Sequence, residues 1–239
     1  MGSLNEKSNE LIKNHYNKNT GLNFDGLINE EKYMNLPIKI LYILKETWSV
    51  SEHNNYSITK DINEWVCKNN ELFANKTSSK KMFDRLSEWS YGILNEIYDF
   101  DEVQKQLNEL ITYHKPLCQV GYINLSKELT IDSTTSFAKV KQYLENNHKL
   151  IKEQIKLFKP DLIITCGVYG EYGIADEICA LFEKKPEWFD GGANGSSIIN
   201  IDNKKVGLIS SYHPAAIKIS KEKFNEILKG WKNIKDKLN

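Results

Sequence analysis

Three polar side chains follow apolar runs that are typical of buried strands, and their types could support one reaction. Glu46, Asn124 and His213 each come at or just beyond the end of such a run. In open α/β sheets the ligand crevice lies at the carboxyl ends of the strands. A carboxylate can orient or activate water, an amide can read the donor and acceptor edge of a base, and an imidazole can stabilise a developing anion. The three residues therefore predict a site at this edge.

Each of these residues also has a purely structural interpretation. Glu46 could be a solvated loop carboxylate, Asn124 could satisfy the backbone of a turn, and His213 could be a satisfied loop residue. His213 precedes Pro214, which fixes the backbone at the strand end. Three such residues at one predicted rim are a stronger indication than any of them alone.

Apolar periodicity predicts the elements that must position these side chains. Short runs rich in β-branched residues predict strands at Ile38–Leu44, Cys118–Leu125, Asp161–Gly167 and Lys205–Ser210, the last paired in a hairpin with Ser197–Ile201. Spacings of three and four predict about three helices between Ile58 and His114, then Phe137–Phe158, about Tyr172–Glu183, and Lys221–Leu238. The alternation predicts an α/β three-layer sandwich, with a central, mostly parallel four-stranded sheet flanked by helices.

Length and composition fit one large core. The chain has 239 residues, of which 40% are hydrophobic, enough for a single domain rather than two. We expect a polar helical N-terminal extension over 1–36. The remainder, 37–239, is expected to form one α/β domain with a helical insertion at about 58–115.

Charge and cysteine content limit the classes of partner and cofactor. Lys+Arg and Asp+Glu balance at 32 each, so any attraction to nucleic acid must come from local patches. The four cysteines lack metal-ligand spacing, which predicts no metal, no cofactor and reduced thiols. No signal peptide and no apolar stretch of about 18 residues is present. We therefore expect a cytoplasmic protein without a membrane partner.

Three short motifs resemble those of the uracil-DNA glycosylase superfamily, over roughly 38–228 in element order. The segment Lys45-Glu46-Thr47-Trp48-Ser49 matches the first motif at Glu46, with Thr47 and Trp48 where one branch has small residues. The segment Tyr122-Ile123-Asn124-Leu125-Ser126-Lys127 is similar to the motif in which an asparagine reads uracil, and His213-Pro214-Ala215-Ala216-Ile217 keeps the His-Pro of the last motif.

The resemblance implies cleavage of the N-glycosidic bond of uracil or a related damaged base that has been flipped out of single- or double-stranded DNA. It gives Asn124 the reading of the base, His213 the stabilisation of the departing base, and Glu46 the positioning of water. Trp48 and Tyr56 would stack on the base. The remaining DNA contacts would come from an inserted Ile217 and from lysines on phosphates, namely Lys127, Lys218, Lys221 and Lys223. We expect a monomer.

Three other interpretations remain open. A nucleophilic hydrolase could pair Ser211 or Cys166 with His213, although no Gly-x-Ser-x-Gly elbow exists. The glycine-rich segment 190–196 could hold a phosphate, although it lacks a Walker lysine. The strongest alternative is a glycosylase-fold protein that binds nucleic acid, nucleotide or a partner protein without cleavage, and the altered first motif favours it.

Overall fold

A computed structural model gives the structure of the chain. It describes residues 2–45, 47–48, 54–73, 77–130, 137–167, 173–182, 187–189, 195–216 and 219–238. Within these ranges, only the main chain is described at 47–48, 77–79, 130 and 137.

Strands and helices alternate along the described segments. The strands are β1 Gly26–Leu27, β2 Ile40–Leu44, β3 Thr47–Trp48, β4 Val120–Asn124, β5 Leu129–Thr130, β6 Leu162–Cys166, β7 Ser196–Ile201 and β8 Lys204–Ser211. The α-helices are α1 Leu4–Tyr16, α2 Glu30–Met34, α3 Ile58–Ile62, α4 Thr77–Leu94, α5 Phe100–Glu109, α6 Phe137–Phe158, α7 Ile174–Leu181 and α8 Ser220–Ile234. A π-helical segment, Asn63–Lys68, continues α3, and 3₁₀ turns occupy Lys115–Gln119 and Lys235–Lys237.

The main sheet is mixed. Among the described residues it has six strands in the order β1-β4-β2-β6-β8-β7. Strand β2 pairs in parallel with β4 and β6, and β6 pairs in parallel with β8, whereas the edge strands β1 and β7 are antiparallel to their neighbours. The predicted α/β class is confirmed, but the sheet has six strands rather than four. The difference arises at the edges, where β1 has only two residues and gives no periodic signal.

Two hydrophobic layers cover the sheet, because alternate residues of a strand point to opposite faces. In β2, Tyr42 packs in the layer that contains α4 and α8, while Leu41 and Ile43 pack in the layer that contains α6 and α7. All five residues of β2 are buried. This arrangement explains why the strand is apolar without interruption, as expected for a strand covered on both faces.

The N-terminal segment is part of the main sheet. Gly26 and Leu27 form β1 and pair with Tyr122 and Gly121 of β4. The segment predicted as an extension over 1–36 therefore supplies an edge strand. Its apolar residue Leu27 is fully buried against the main core.

The helical insertion packs over the face of the sheet that carries Tyr42. Its longest helix, α4, buries Phe83, Leu86 and Trp89 there. The prediction that all cysteines are reduced thiols is wrong for two of them. Cys67 and Cys118 form a disulfide that joins the π-helical segment to the 3₁₀ turn before β4. Their spacing of 51 residues gives no local signal, and only the tertiary fold brings the two sulfurs together.

The hairpin predicted before the last helix is present. Strands β7 and β8 pair antiparallel, with Ile201 opposite Lys204. The two residues between them, Asp202 and Asn203, have φ values of 47° and 67°. Aspartate and asparagine tolerate this left-handed conformation, which a type I′ hairpin turn requires at both positions.

Candidate active site

The parallel strands end together at one edge of the sheet, and their order defines a crevice there. From β2 the chain passes to β4 on one side, and then returns to β6 and β8 on the other. Such a reversal of strand order is a topological switch point, outside which ligands bind in open α/β folds. The crevice is expected between the ends of β2 and β6.

Main-chain hydrogen bonds tie the residues that follow these strands into one rim. Ser126 N–H donates to the carbonyl of Lys45 at 2.9 Å, and Gly167 N–H donates to the carbonyl of Ser211 at 2.8 Å. Gly167 has a φ of 135°, a conformation that side chains disfavour. A Cβ atom there would lie 3.6 Å from the side chain of Lys45. That distance is an ordinary van der Waals contact, so the side chain of Lys45 packs beside the end of β6.

His213 lies on this rim just beyond β8, with a defined tautomer. Its Nδ1 atom accepts a hydrogen bond from the backbone N–H of Ala215 at 3.2 Å. Burial lowers the pKa of His213 to about 4, and the positive charges of Lys45 and Lys223 act in the same direction. At neutral pH the imidazole is therefore uncharged and carries its proton on Nε2.

Lys223 supports the same loop from α8. Its side chain is 1% exposed, and its Nζ atom donates a 2.8 Å hydrogen bond to the carbonyl of His213. The prediction that Lys223 contacts a phosphate is therefore wrong, because the ammonium group is turned into the protein. Its charge instead contributes to the positive surroundings of the imidazole.

Asn124 is the last residue of β4 and is fully buried. Its backbone N–H donates a 2.6 Å hydrogen bond to Oδ2 of Asp25, and its carbonyl accepts a 2.5 Å hydrogen bond from Nζ of Lys127. Both main-chain groups of Asn124 are thus held by side chains. The backbone of Asn124, from which the amide side chain extends, is therefore held in place at the rim.

Lys127 forms a buried ion pair with Asp25. The two side chains are fully buried, and Nζ lies 2.9 Å from Oδ1 and 2.7 Å from Oδ2. Burial lowers the pKa of Lys127, while the Asp25 carboxylate opposes this effect. The predicted role of Lys127 on DNA phosphate is wrong, since a phosphate cannot reach a fully buried ammonium group.

The carboxylate of Asp25 has further partners that make its burial tolerable. Nε2 of Gln154 donates to Oδ1 at 3.1 Å, and Nδ2 of Asn23 donates to Oδ2 at 3.4 Å. A buried ion pair is tolerated only when such additional hydrogen bonds satisfy it. Asp25 is not identifiable as a site residue from the sequence, because its 99-residue separation from Asn124 leaves no local pattern.

Tyr56 lies beside the N-terminal segment that carries Asp25. Its backbone N–H donates to the carbonyl of Leu22 at 3.0 Å, and its carbonyl accepts from Phe24 N–H at 2.8 Å. The side chain is half-buried, and burial raises its pKa. Tyr56 is thus fixed near the Asn124 side of the rim, while its stacking on a base stays a prediction.

The remaining predicted residues are described only in part. The backbone of Trp48 lies in β3, where it pairs with Thr130 of β5. Glu46, Ile217 and Lys218 lie outside the described residues, as do residues 190–194 of the glycine-rich segment. The structure thus brings the strand ends of Asn124 and His213 to one edge, with β2 and β6 between them. Three strand spacings correspond to roughly 14 Å.

The thiol alternative receives no support from the surroundings of Cys166. This residue is fully buried within β6, and burial raises the pKa of its thiol far above the usual range. A thiolate is the nucleophilic form of cysteine, so Cys166 is inert in this setting. Its sulfur lies 3.9 Å from the carbonyl oxygen of Ile164.

The described part of the chain offers neither a clustered metal site nor a membrane-spanning helix. It contains no group of three or more histidine, cysteine, aspartate or glutamate residues that could hold a metal ion. None of its helices combines the length and the apolar character needed to cross a membrane.

The chain matches no known family model, and no curated protein is significantly similar to it.

Proposed function

We propose that the protein hydrolyses the N-glycosidic bond of uracil, or of a related damaged base, in DNA, as members of the uracil-DNA glycosylase superfamily do. In this reaction the bond between C1′ and the base nitrogen breaks, and its electron pair leaves with the base. The oxygen of water bonds to C1′ and loses a proton to the medium. The products are an abasic site and the free base.

The observation that carries the proposal is the neutral imidazole of His213 between two lysines on the rim. Its Nε2–H group can donate a hydrogen bond to an oxygen of the departing base, where negative charge develops. Lys45 and Lys223 add positive charge near the same position. Donors already held in place stabilise such charge without reorganisation during the reaction.

The amide of Asn124 supplies recognition of the base. An amide offers one acceptor and one donor, which complement N3–H and O4 of uracil, whereas cytosine presents a donor at position 4. The hydrogen bonds of its main chain to Asp25 and Lys127 hold the backbone of Asn124 in place, and with it the point from which the amide side chain extends. Base selection therefore requires little ordering of Asn124 on binding.

The outer parts of the site are assigned by resemblance. Glu46 positions the attacking water, Trp48 and Tyr56 stack on the flipped base, and Ile217 occupies the space that the base leaves. With Lys127 and Lys223 buried, the phosphate contacts are assigned to Lys218 and to Lys221, whose side chain is exposed in the first turn of α8.

The test is release of uracil from single- and double-stranded oligonucleotides, detected as alkali-labile abasic sites. We expect His213→Ala or Asn124→Ala to lower the single-turnover rate by about 100-fold to 1000-fold, as loss of a transition-state donor does. Matched controls are His148→Ala and Asn200→Ala, whose side chains are exposed and lie away from the rim. A His213→Ala protein that cleaves at the wild-type rate would refute the proposal.

A second candidate is a binding protein of the same fold that cleaves nothing. The bulky residues Thr47 and Trp48 in the first motif favour it, because they stand where one branch of the superfamily has small residues. Fluorescence anisotropy with the same oligonucleotides separates the two. DNA binding without release of uracil, hypoxanthine or mismatched bases would select the binding protein.

We further propose a cytoplasmic monomer. Disulfides are rare in the reducing cytosol. The redox state of Cys67 and Cys118 in the cell therefore tests the proposed location. Alkylation of thiols in the intact cell, followed by mass spectrometry, should find these two cysteines reduced if the location is cytosolic. Light scattering after gel filtration should give the mass of one chain.

A further inference from the structure

The basic residues of this chain include a single arginine. Of 32 lysine and arginine residues, only Arg85 is an arginine. It lies in α4, within the helical insertion, and is 1% exposed. A buried arginine needs specific partners, so its contacts indicate what the insertion contributes.

The guanidinium group of Arg85 binds the loop that follows β8. Nη1 donates hydrogen bonds to the carbonyls of Pro214 and Ala216, the second at 2.8 Å. Nε donates to Oγ of Ser220, the first residue of α8, at 3.1 Å. One side chain thus joins α4 to the loop after β8 and to the start of α8.

The pattern of partners depends on the guanidinium group. Its donors form a rigid planar fork, whereas a lysine ammonium is a point charge on a flexible stem. Nη1 and Nε point in different directions, and they reach two carbonyls and a hydroxyl in one fixed geometry. A lysine at this position could satisfy only part of this set.

The two carbonyls that Arg85 holds flank the residue that orients His213. Ala215 lies between Pro214 and Ala216, and its backbone N–H is the donor to Nδ1 of His213. The carbonyl of His213 is held from the other side by Lys223. The imidazole is therefore oriented by a loop that two buried cations clamp, one from α4 and one from α8.

We infer that Arg85 is a positioning residue for His213, and that the helical insertion serves to carry this clamp to the rim. Arg85 acts through the loop: it holds Ala215 in place, and Ala215 fixes the tautomer and direction of the imidazole. The expected effect on turnover rests on the proposed function, whereas the orientation of His213 does not.

The experiment compares Arg85→Gln and Arg85→Lys with wild type, with Ile93→Val as the matched control. Ile93 is a buried residue of α4 with 1% exposure and is not part of the clamp. The first readout is the NMR titration of His213, which is independent of any activity. Lys45 and Lys223, whose charges act on the imidazole, are unchanged in all of these variants.

We expect the wild-type imidazole to titrate near pH 4. In Arg85→Gln the pKa should rise by about one unit or more towards the ordinary value, because the loosened loop admits water. Arg85→Lys should give an intermediate value, since it restores a charge and one donor. Ile93→Val should titrate like wild type. Ser220→Ala, which removes one partner of the clamp, provides the same test if Arg85→Gln fails to fold.

The second readout is kinetic. On oligonucleotides that contain uracil, Arg85→Gln should lower kcat by about 100-fold, the cost of a small misplacement of a catalytic group. KM should stay close to that of wild type. A folded Arg85→Gln protein with wild-type titration of His213 would overturn the inference. A wild-type protein without glycosylase activity would refute only the proposed function, because the titration still decides the role of Arg85.

Discussion

Asp25 and Asn124 are joined by a 2.6 Å hydrogen bond in which the backbone N–H of Asn124 donates to Oδ2 of Asp25. Strand β1 begins at the next residue, with Gly26 paired to Tyr122. Beyond that pair, the carboxylate takes the place that a strand carbonyl would occupy in the ladder. The N-terminal segment thereby satisfies the last backbone N–H group of β4, the strand that carries the amide of the candidate site.

Removal of the Asp25 charge should be strongly destabilising. Asp25→Asn leaves the fully buried ammonium of Lys127 without its partner, which typically costs about 3–5 kcal/mol. Urea denaturation measures the change in the free energy of unfolding. Replacing both partners, as Asp25→Leu with Lys127→Met, should recover much of the loss, because no buried charge remains.

The control for this prediction is an exposed ion pair of similar length. Lys18 and Glu128 lie 2.7 Å apart, with side-chain exposures of 37% and 56%. Lys18→Ala should cost less than about 1 kcal/mol. Equal losses for Asp25→Asn and Lys18→Ala would contradict the structural role assigned to the buried pair.

Much of the fold could be predicted from the sequence, because its strongest signals are local. The long helix α6 spans Phe137–Phe158, as its periodicity predicts, and the central strands lie within their predicted apolar runs. The edge strand β1 could not be predicted, since two residues carry no period.

The site could be predicted only in outline. The rim positions of Asn124 and His213 follow from parallel strands that end at one edge. Asp25 contacts Asn124 from 99 residues away along the chain, and Arg85 contacts the loop after His213 from 129 residues away. The resemblance assigns Lys127 to DNA, and its buried partner Asp25, 102 residues away, is not visible in the sequence. The one usable signal was the single arginine, which marks Arg85 as unusual.

The low pKa of His213 should make stability depend on pH. The unfolded imidazole titrates near its ordinary value of 6.5 and the folded one near 4, so between these values the unfolded state binds more protons. Stability from the neutral imidazole is full above pH 6.5 and is lost as pH falls towards 4. The loss should be roughly 3–4 kcal/mol at most. Denaturant unfolding across this range measures it.

His213→Asn is the reference for the pH prediction, since it removes the titrating group. Its unfolding free energy should fall less steeply than that of wild type between pH 6.5 and about 4. Parallel curves for the two proteins would show that His213 keeps an ordinary pKa in the folded state. The neutral-donor role would then have to be abandoned.

Lys45 should influence the reaction through its charge. Its side chain lies against Gly167, and its charge lowers the pKa of His213. Lys45→Met keeps most of the aliphatic stem and removes the charge, so the pKa of His213 should rise and stabilisation of the departing base should weaken. We expect a drop in kcat of about 10-fold or more. Lys60→Met, at an exposed position of α3, is the control. A wild-type kcat for Lys45→Met would exclude this electrostatic role.

The Cys67–Cys118 disulfide should contribute measurably to stability in oxidising conditions. It closes a loop across 51 residues, for which chain-entropy arguments give about 4 kcal/mol through restriction of the unfolded state. Reduction should lower the unfolding free energy of wild type towards that of a Cys67→Ala, Cys118→Ala variant, which itself should not respond to reductant. The buried thiols Cys166 and Cys179 should stay unreactive towards alkylating agents until the protein unfolds, because burial raises the pKa of both. A double variant as stable as oxidised wild type would show that the bond closes a segment that is already ordered in the unfolded chain.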